Sequence, residues 1–256
     1  MSNKKLSATK IGIVIDRDIL PIFIFKKGQP AIPISMQGTG FVIASNLLIT
    51  CWHCVSTPLL PNEQYGVAIK PPNENNYRTL FLTNIEQDAN SNDLATANLQ
   101  LEPTFGLCLA NNKVAYGTDV FTFGYPLTDV RQASDDSLDF ELKGRYLQGC
   151  IMRSFYYRDP IFGSVPSYEL DFAVPTGLSG APIIQHHSRE VIGVAYGSHD
   201  EGTIVQYERK DPVTGKREPE IQKLILFGLA HYTKTLQQVK GRATMNIPLI
   251  DFLKSK

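Results

Sequence analysis

Within "PTGLSGAPII", residues 175–184, one serine, Ser179, lies between glycines and is followed by an apolar run. A serine hydroxyl is a weak nucleophile at neutral pH, so chemistry here requires a base within reach and a third group to orient that base. Without them the stretch reads as a glycine- and proline-rich turn. The chain offers His53, His186, His187, His199 and His231. His53 has the most telling setting, because in "NLLITCWHCV" an apolar run ends and the imidazole follows at the turn. In "NSNDLATANL" Asp93 directly precedes an apolar run, and Asp88 is its nearest rival. His53, Asp93 and Ser179 thus supply a base, an orienter and a nucleophile. Cys51, His53 and Cys54 could instead form half of a zinc site. No second ligand pair follows at matching spacing, so no metal is expected.

The elements that must position these residues read as strands. Short β-branched or aromatic runs such as "PIFIFKKG", "GTGFVIAS", "YGVAIK" and "RTLFLTNI" are broken by Gly, Pro and Asn. A second series includes "VAYGTDVFTFGYP", "SYELDFAV", "APIIQ", "EVIGVAYGS", "KLILFGLAHYT" and "ATMNIP". This spacing fits antiparallel barrels or sandwiches rather than alternating βαβ units. Only "PLIDFLKSK" looks helical, and residues 102–112 carry the weakest pattern, which suits a connection between halves. Residues 199–223 form a charge-dense insertion that should reverse at "DPVTGK".

Bulk properties narrow the setting. The 256 residues carry 25 basic and 25 acidic side chains, 43% hydrophobic and 20% charged, so no nucleic-acid footprint is present. No apolar stretch approaches the ~20 residues that span a bilayer, and no signal-peptide core is evident. Cys51, Cys54, Cys108 and Cys150 read as free thiols, which implies a cytoplasmic protein.

Four segments resemble a known family. "GTGFVIASNLLITCWHCV", "DLATANL", "VFTFGYPL" and "GLSGAP" are similar, in order, to the signature segments of chymotrypsin-fold, trypsin-like serine peptidases of the bacterial, stand-alone type. The resemblance covers most of residues 20–250. It implies an all-β fold of two antiparallel six-stranded β-barrels with a short C-terminal helix. An N-terminal barrel, residues 1–105, would carry His53 and Asp93, and a C-terminal barrel, residues 106–256, would carry Ser179 and the insertion at 199–223. It further implies a serine endopeptidase working through an acyl-enzyme without a cofactor. Ser179 would attack, His53 would move the proton, and Asp93 would hold the imidazole. The N–H groups of Gly177 and Ser179 would form the oxyanion hole. Ala173 would floor the specificity pocket, with Ala195, Tyr196 and Gly197 as its wall and the backbone of Ala195 and Gly197 pairing with substrate. Asp171 is the rival floor, which would favour a basic side chain.

The chain also departs from the family. Secreted members bridge the cysteine after the histidine to a partner upstream, but that position here is Gly38. Leu178 replaces the aspartate that zymogen-type members pair with a new N-terminus, so the site must be preformed or organised by a ligand or partner. Trp52 occupies a position usually held by a small residue and should pack beneath the turn. The expected partners are a protein or peptide substrate and a regulatory protein, with neither nucleic acid nor membrane. An alternative is a catalytically silent module that binds peptides in the same cleft.

Overall fold

The computed structural model describes residues 15–28, 32–44, 46–69, 77–90, 92–99, 106–128, 130–132, 138–140, 142–206, 211, 213–216 and 221–255. After a four-residue helix α1 (Ile15–Asp18) come β1 (Ile19–Lys26), β2 (Ile32–Ala44), β3 (Leu47–Thr50), β4 (Glu63–Ile69), β5 (Arg78–Gln87) and β6 (Ala95–Leu99). These pair antiparallel in the order β1-β2-β3-β6-β5-β4, and pairing of β4 with β1 closes the barrel. The second half contains β7 (Asp119–Gly124), the small pair β8 (Val130–Gln132) and β9 (Leu138–Phe140), β10 (Arg145–Asp159) and β11 (Gly163–Leu170). It continues with β12 (Pro182–Gln185), β13 (Val191–Gln206) and β14 (Ile221–His231). Six of these strands close as β10-β11-β14-β13-β12-β7. Helices α2 (Thr233–Gln237) and α3 (Leu249–Lys254) end the chain. The fold is that of two six-stranded β-barrels, chymotrypsin-like.

Alternation of side chains builds the cores. Along β1, Leu20, Ile22 and Ile24 enter the first barrel with Val42, Leu48, Val67 and Leu82. Phe23 and Phe25 point to the other face, against Ala68 and Phe81. The second barrel is filled by Val120, Ile151, Tyr168, Leu170, Leu178, Ile183 and Ile192. A third cluster takes side chains from both barrels, including Phe41, Ile49, Leu94, Phe121, Val194 and Leu229. Leu236, Leu249 and Phe252 of the terminal helices complete it. Each fully buried aliphatic side chain stabilises by about 1.5–3 kcal/mol. This shared layer clamps the two barrels and sets the distance between residues far apart in sequence.

Three expectations need revision. Two short helices accompany the C-terminal one, and "ATMNIP" is not a strand. Arg242–Thr244 form a 3-10 turn in which the Thr244 hydroxyl bonds both ends of Gly241 and the Ile247 carbonyl. Met245 and Asn246 follow with positive φ, so alternation here comes from a turn. Third, in "VAYGTDVFTFGYP" the strand begins only at Asp119. Residues 106–112 carry a single isolated bridge, Leu109 to Val191. Much of the charged insertion is the paired arms of β13 and β14, with register running out to Gln206 and Ile221. Asp211 makes a tight reversal, its N–H bonding the Lys216 carbonyl at 2.9 Å and its carbonyl accepting from Gly215. Residues 207–210, 212 and 217–220 lie outside the described residues.

Candidate active site

His53 sits on a single 3-10 turn, Trp52–Cys54, that follows β3. The turn closes through the Cys54 N–H on the Cys51 carbonyl at 3.2 Å and the Val55 N–H on the Trp52 carbonyl at 2.9 Å. Thr50 pins the strand end by donating its hydroxyl to the Thr39 carbonyl at 2.7 Å. Trp52 packs, half-buried, against the interior of the first barrel.

Asp93 lies just ahead of β6 with its side chain only 4% exposed, whereas the His53 ring is 40% exposed to the cleft. Its carboxylate accepts the His53 backbone N–H at 2.9 Å and the Nδ1–H of the ring at 2.7 Å. Because the carboxylate only accepts, Nδ1 carries a proton, which leaves Nε2 as the ring nitrogen that can gain or lose one. The rival Asp88 has a different task. It accepts from the Lys240 N–H at 3.0 Å and the Asn92 amide at 2.6 Å, and donates its own N–H to the Leu94 carbonyl at 2.8 Å. Asp88 thereby closes the loop that delivers Asp93.

The turn that carries Ser179 requires its glycines. Gly177 and Gly180 have φ of +92° and +87°. A Cβ would lie 2.8 Å from the Tyr125 carbonyl oxygen at Gly177, and 1.9 Å from that of Thr39 at Gly180. The Thr176 carbonyl accepts the Leu127 N–H at 3.2 Å, and in a trans peptide the N–H points the opposite way. The Gly177 N–H therefore faces away from Leu127. Thr39 adds a clasp: its hydroxyl donates to the Gly177 carbonyl at 2.8 Å and accepts the Tyr125 N–H at 3.2 Å. Among the described residues, neither the Gly177 nor the Ser179 N–H is given to a protein acceptor. Leu178 is fully buried in the second barrel's core, so apolar packing holds the turn where an ion pair would otherwise act. The Ser179 hydroxyl itself donates to the Tyr196 carbonyl at 3.2 Å.

The residues expected to form the pocket have the following local surroundings. Ala173 lies in a segment stitched to β13, since Ser198 Oγ accepts the Val174 N–H at 2.7 Å and donates to the Val174 carbonyl at 3.2 Å. Asp171 is held against β10, accepting the Cys150 N–H at 2.8 Å. Ala195 departs from the expectation that its backbone pairs with substrate. Its N–H is committed to the Ala181 carbonyl at 2.9 Å, and its carbonyl accepts from the Gly180 N–H at 2.7 Å and the Cys51 thiol at 3.3 Å. Tyr196 and Gly197 lie at a bulge where β13 shifts register against β14.

Several residues that sequence reading left unassigned surround this site. His231 is fully buried beneath Asp93, donating Nε2–H to the Asp93 carbonyl at 3.1 Å and lying 4.5 Å from the Tyr196 ring. Among the described residues its Nδ1 has no hydrogen-bond partner. Tyr196 is fixed in turn by a 2.6 Å hydrogen bond between its hydroxyl and Ser167. Farther along β13, His199 binds the buried Glu169 of β11 at 2.7 Å, and Glu169 also binds Arg153 of β10 at 2.6 Å. The single signal available was that His231 ends an apolar strand run, which indicates burial but not a partner, while His199 opens the charge-dense insertion.

Burial disfavours the charged form of His231 and lowers its pKa from 6.5 to about 4. Below pH 6.5 the unfolded chain therefore takes up a proton that the folded chain excludes, and stability falls as pH drops from 6.5 toward 4. Between pH 7.5 and 4.5 the native protein should lose about 2–3 kcal/mol more unfolding free energy than His231→Gln. Urea denaturation of both proteins at the two pH values measures this. Equal losses would show that His231 is not held neutral. For His53, burial pushes the imidazole down but is outweighed by the Asp93 carboxylate and the Cys54 sulfur, so the net shift is upward.

The Cys51, His53 and Asp93 donor atoms lie within 4.8 Å of one another, a spacing that suits a metal ion. Each already has a hydrogen-bond partner inside the protein: His53 and Asp93 bond each other, and Cys51 bonds Ala195. Gly38 stands where a bridging cysteine would be, and a Cβ there would lie 2.4 Å from Cys54 Sγ. All four cysteines are free thiols.

Comparison with known proteins agrees with this architecture. No curated protein matches the chain. Among solved structures, the active form of the Rv3671c protease from M. tuberculosis is 17% identical, with a TM-score of 0.54, covering 91% of this chain and 81% of that one. The MamO protease domain from Magnetospirillum magneticum is 16% identical, with a TM-score of 0.55, covering 86% of this chain and 94% of that one. The HtrA-type protease AlgW, solved with a decapeptide, is 14% identical, with a TM-score of 0.56, covering 86% and 63%. At these identities the likeness establishes the fold. The model of the trypsin-like peptidase domain matches residues 38–194, which span the turn of His53, the loop of Asp93 and the turn of Ser179. The chain belongs to the trypsin-like peptidase family.

Proposed function

We propose that this protein is a serine endopeptidase in which Ser179, His53 and Asp93 act as nucleophile, base and orienter. The carrying observation is the buried Asp93 carboxylate, which holds the His53 ring by Nδ1 at 2.7 Å and so leaves Nε2 as the nitrogen that can take a proton. Substrate binding would draw the Ser179 hydroxyl away from the Tyr196 carbonyl and toward Nε2. Oγ then attacks the carbonyl carbon as Nε2 takes its proton. The oxyanion that forms accepts from the two uncommitted N–H groups of Gly177 and Ser179, each such donor contributing about 3–4 kcal/mol. Collapse of this intermediate passes the proton from His53 to the leaving amine and leaves an acyl ester on Ser179. Water then repeats the sequence to release it. The substrate is a protein or peptide. Ala173 on the floor and the engagement of Asp171 by Cys150 support an apolar side chain in the pocket. The free thiols support a reducing, cytoplasmic setting. Among the described residues no helix is long and apolar enough to cross a membrane.

A fluorophosphonate probe tests the assignment, since it reacts only with a serine activated by a base. Stoichiometric labelling that maps to Ser179 is expected, and its absence from folded, reduced protein would remove the catalytic reading. The resting hydroxyl turned toward Tyr196 is the observation that favours the alternative, a silent peptide-binding cleft. Unlabelled protein that still binds peptides would establish it.

The raised His53 pKa sets the pH dependence. Only neutral imidazole accepts the serine proton, so the labelling rate should rise with pH and reach half its plateau above pH 6.5. Cys54→Ser should move that midpoint downward, because the sulfur is one of the groups favouring the imidazolium. A native midpoint at or below 6.5 would contradict this account.

A further inference from the structure

The catalytic histidine lies inside a Cys-x-x-Cys sequence, Cys51-Trp52-His53-Cys54. Both thiols are buried and free, and they belong to one tight turn, with the Cys54 N–H on the Cys51 carbonyl at 3.2 Å. Cys51 donates to the Ala195 carbonyl at 3.3 Å and Cys54 to the Ser179 carbonyl at 3.4 Å. The Gly180 N–H, on the opposite side of the same peptide unit, donates to the Ala195 carbonyl at 2.7 Å. The two sulfurs are close enough to share a hydrogen bond with each other, and each also holds part of the serine turn in place.

We propose that Cys51 and Cys54 are a peroxide-sensitive dithiol whose oxidation to a disulfide reversibly switches the active site off. Residues spanned by one such turn fall within the Cα separation that a disulfide accepts, roughly 4.4–6.8 Å. The two thiols have opposed character. Hydrogen bonding from Cys51, against the effect of burial, and the nearby His53 bring the Cys54 thiol down to about 6, while burial raises Cys51. Cys54 is thus the attacking thiolate and Cys51 the resolving thiol. Its sulfur attacks one oxygen of hydrogen peroxide, forming an S–O bond as the O–O bond breaks, and yields a sulfenic acid and hydroxide. The Cys51 sulfur then displaces the sulfenic oxygen, which leaves as hydroxide while the Cys51 proton is released, so the two combine as water. With the earlier hydroxide protonated, two thiols and one peroxide become one disulfide and two waters. A dithiol reductant reverses the bond by exchange.

Switching follows from what the sulfurs hold. Drawing them together takes both off the Ala195 and Ser179 carbonyls and tightens the turn on which His53 stands. The base and the nucleophile lose their common support in one step. The inference rests on the serine-hydrolase reading for its activity readout, but formation of the bond itself does not.

The test uses the full chain, reduced, then treated with hydrogen peroxide and quenched with an alkylating agent. Peptide mass mapping should find a Cys51–Cys54 disulfide. Fluorophosphonate labelling of Ser179 should fall at least ten-fold and return with dithiothreitol. Cys108→Ser/Cys150→Ser should respond as the native protein does. In Cys51→Ser the resolving thiol is gone, so no disulfide should form and peroxide should leave a Cys54 sulfenic acid that dimedone traps. Two alkylatable thiols at Cys51 and Cys54 after Cys108 and Cys150 have reacted would overturn the proposal, as would a disulfide that leaves labelling unchanged. Mass mapping on the native chain decides the first point even if a variant fails to fold. Failure of reduced protein to label while the disulfide forms would instead reject the hydrolase reading.

Discussion

Ser179→Ala should lower peptide hydrolysis by at least about 10⁴-fold while leaving the melting temperature nearly unchanged. The substitution removes one oxygen whose hydrogen bond in the resting chain is the 3.2 Å contact with Tyr196, a loss of about 1 kcal/mol or less. The glycines that shape the turn, the buried Leu178 and the Thr39 clasp are untouched. Activity and stability should therefore separate cleanly. Turnover of a fluorogenic peptide and thermal unfolding on the same preparation measure both. Retained turnover by purified variant would sink the nucleophile assignment.

Asp93→Asn should cost a comparable amount, about 10⁴-fold in turnover, the magnitude known for the equivalent change in the triad template of this fold. The carboxylate accepts two hydrogen bonds from one residue, the His53 N–H and Nδ1–H. An asparagine can keep the first through its oxygen, which turns its NH2 toward Nδ1. The ring must then place its proton on Nε2, and the base points a donor at Ser179. Some folding energy should also be lost, since the backbone bond anchors the His53 turn. The diagnostic is a kinetic one. Fluorophosphonate labelling should fall with turnover, while peptide binding measured on catalytically inert protein persists. Full labelling of the variant would place the orienting role elsewhere.

Particular elements show how far local pattern reaches. Alternation along "ILPIFIFK" reports a strand and its two faces because side chains on a pleated backbone point alternately. The nucleophile turn was legible because positive φ on both sides of Leu178–Ser179 demands glycine at 177 and 180. "ATMNIP" misled for a related reason: a capped turn with two left-handed residues also alternates apolar and polar positions. The insertion misled less, since Asp-Pro and Gly mark a reversal whether its arms are loops or strands.

By itself, the sequence determined the strand-rich architecture, the order of His53, Asp93 and Ser179, and the absence of the charged residue at 178. All of these depend on residue type and near-neighbour spacing. Only the tertiary structure decided that Asp93 rather than Asp88 reaches His53, since both are buried acids within one loop and differ in what comes to meet them. It also decided that the Ala195 backbone is already engaged, that the Gly177 and Ser179 N–H groups find no acceptor among the described residues, and that His231 lies beneath Asp93 from 138 residues away. Cys54 reaches the Ser179 carbonyl across 125 residues. Such contacts arise from the closure of two barrels and the apolar layer between them. No periodicity within a strand carries that information, because register and closure are properties of pairs of strands.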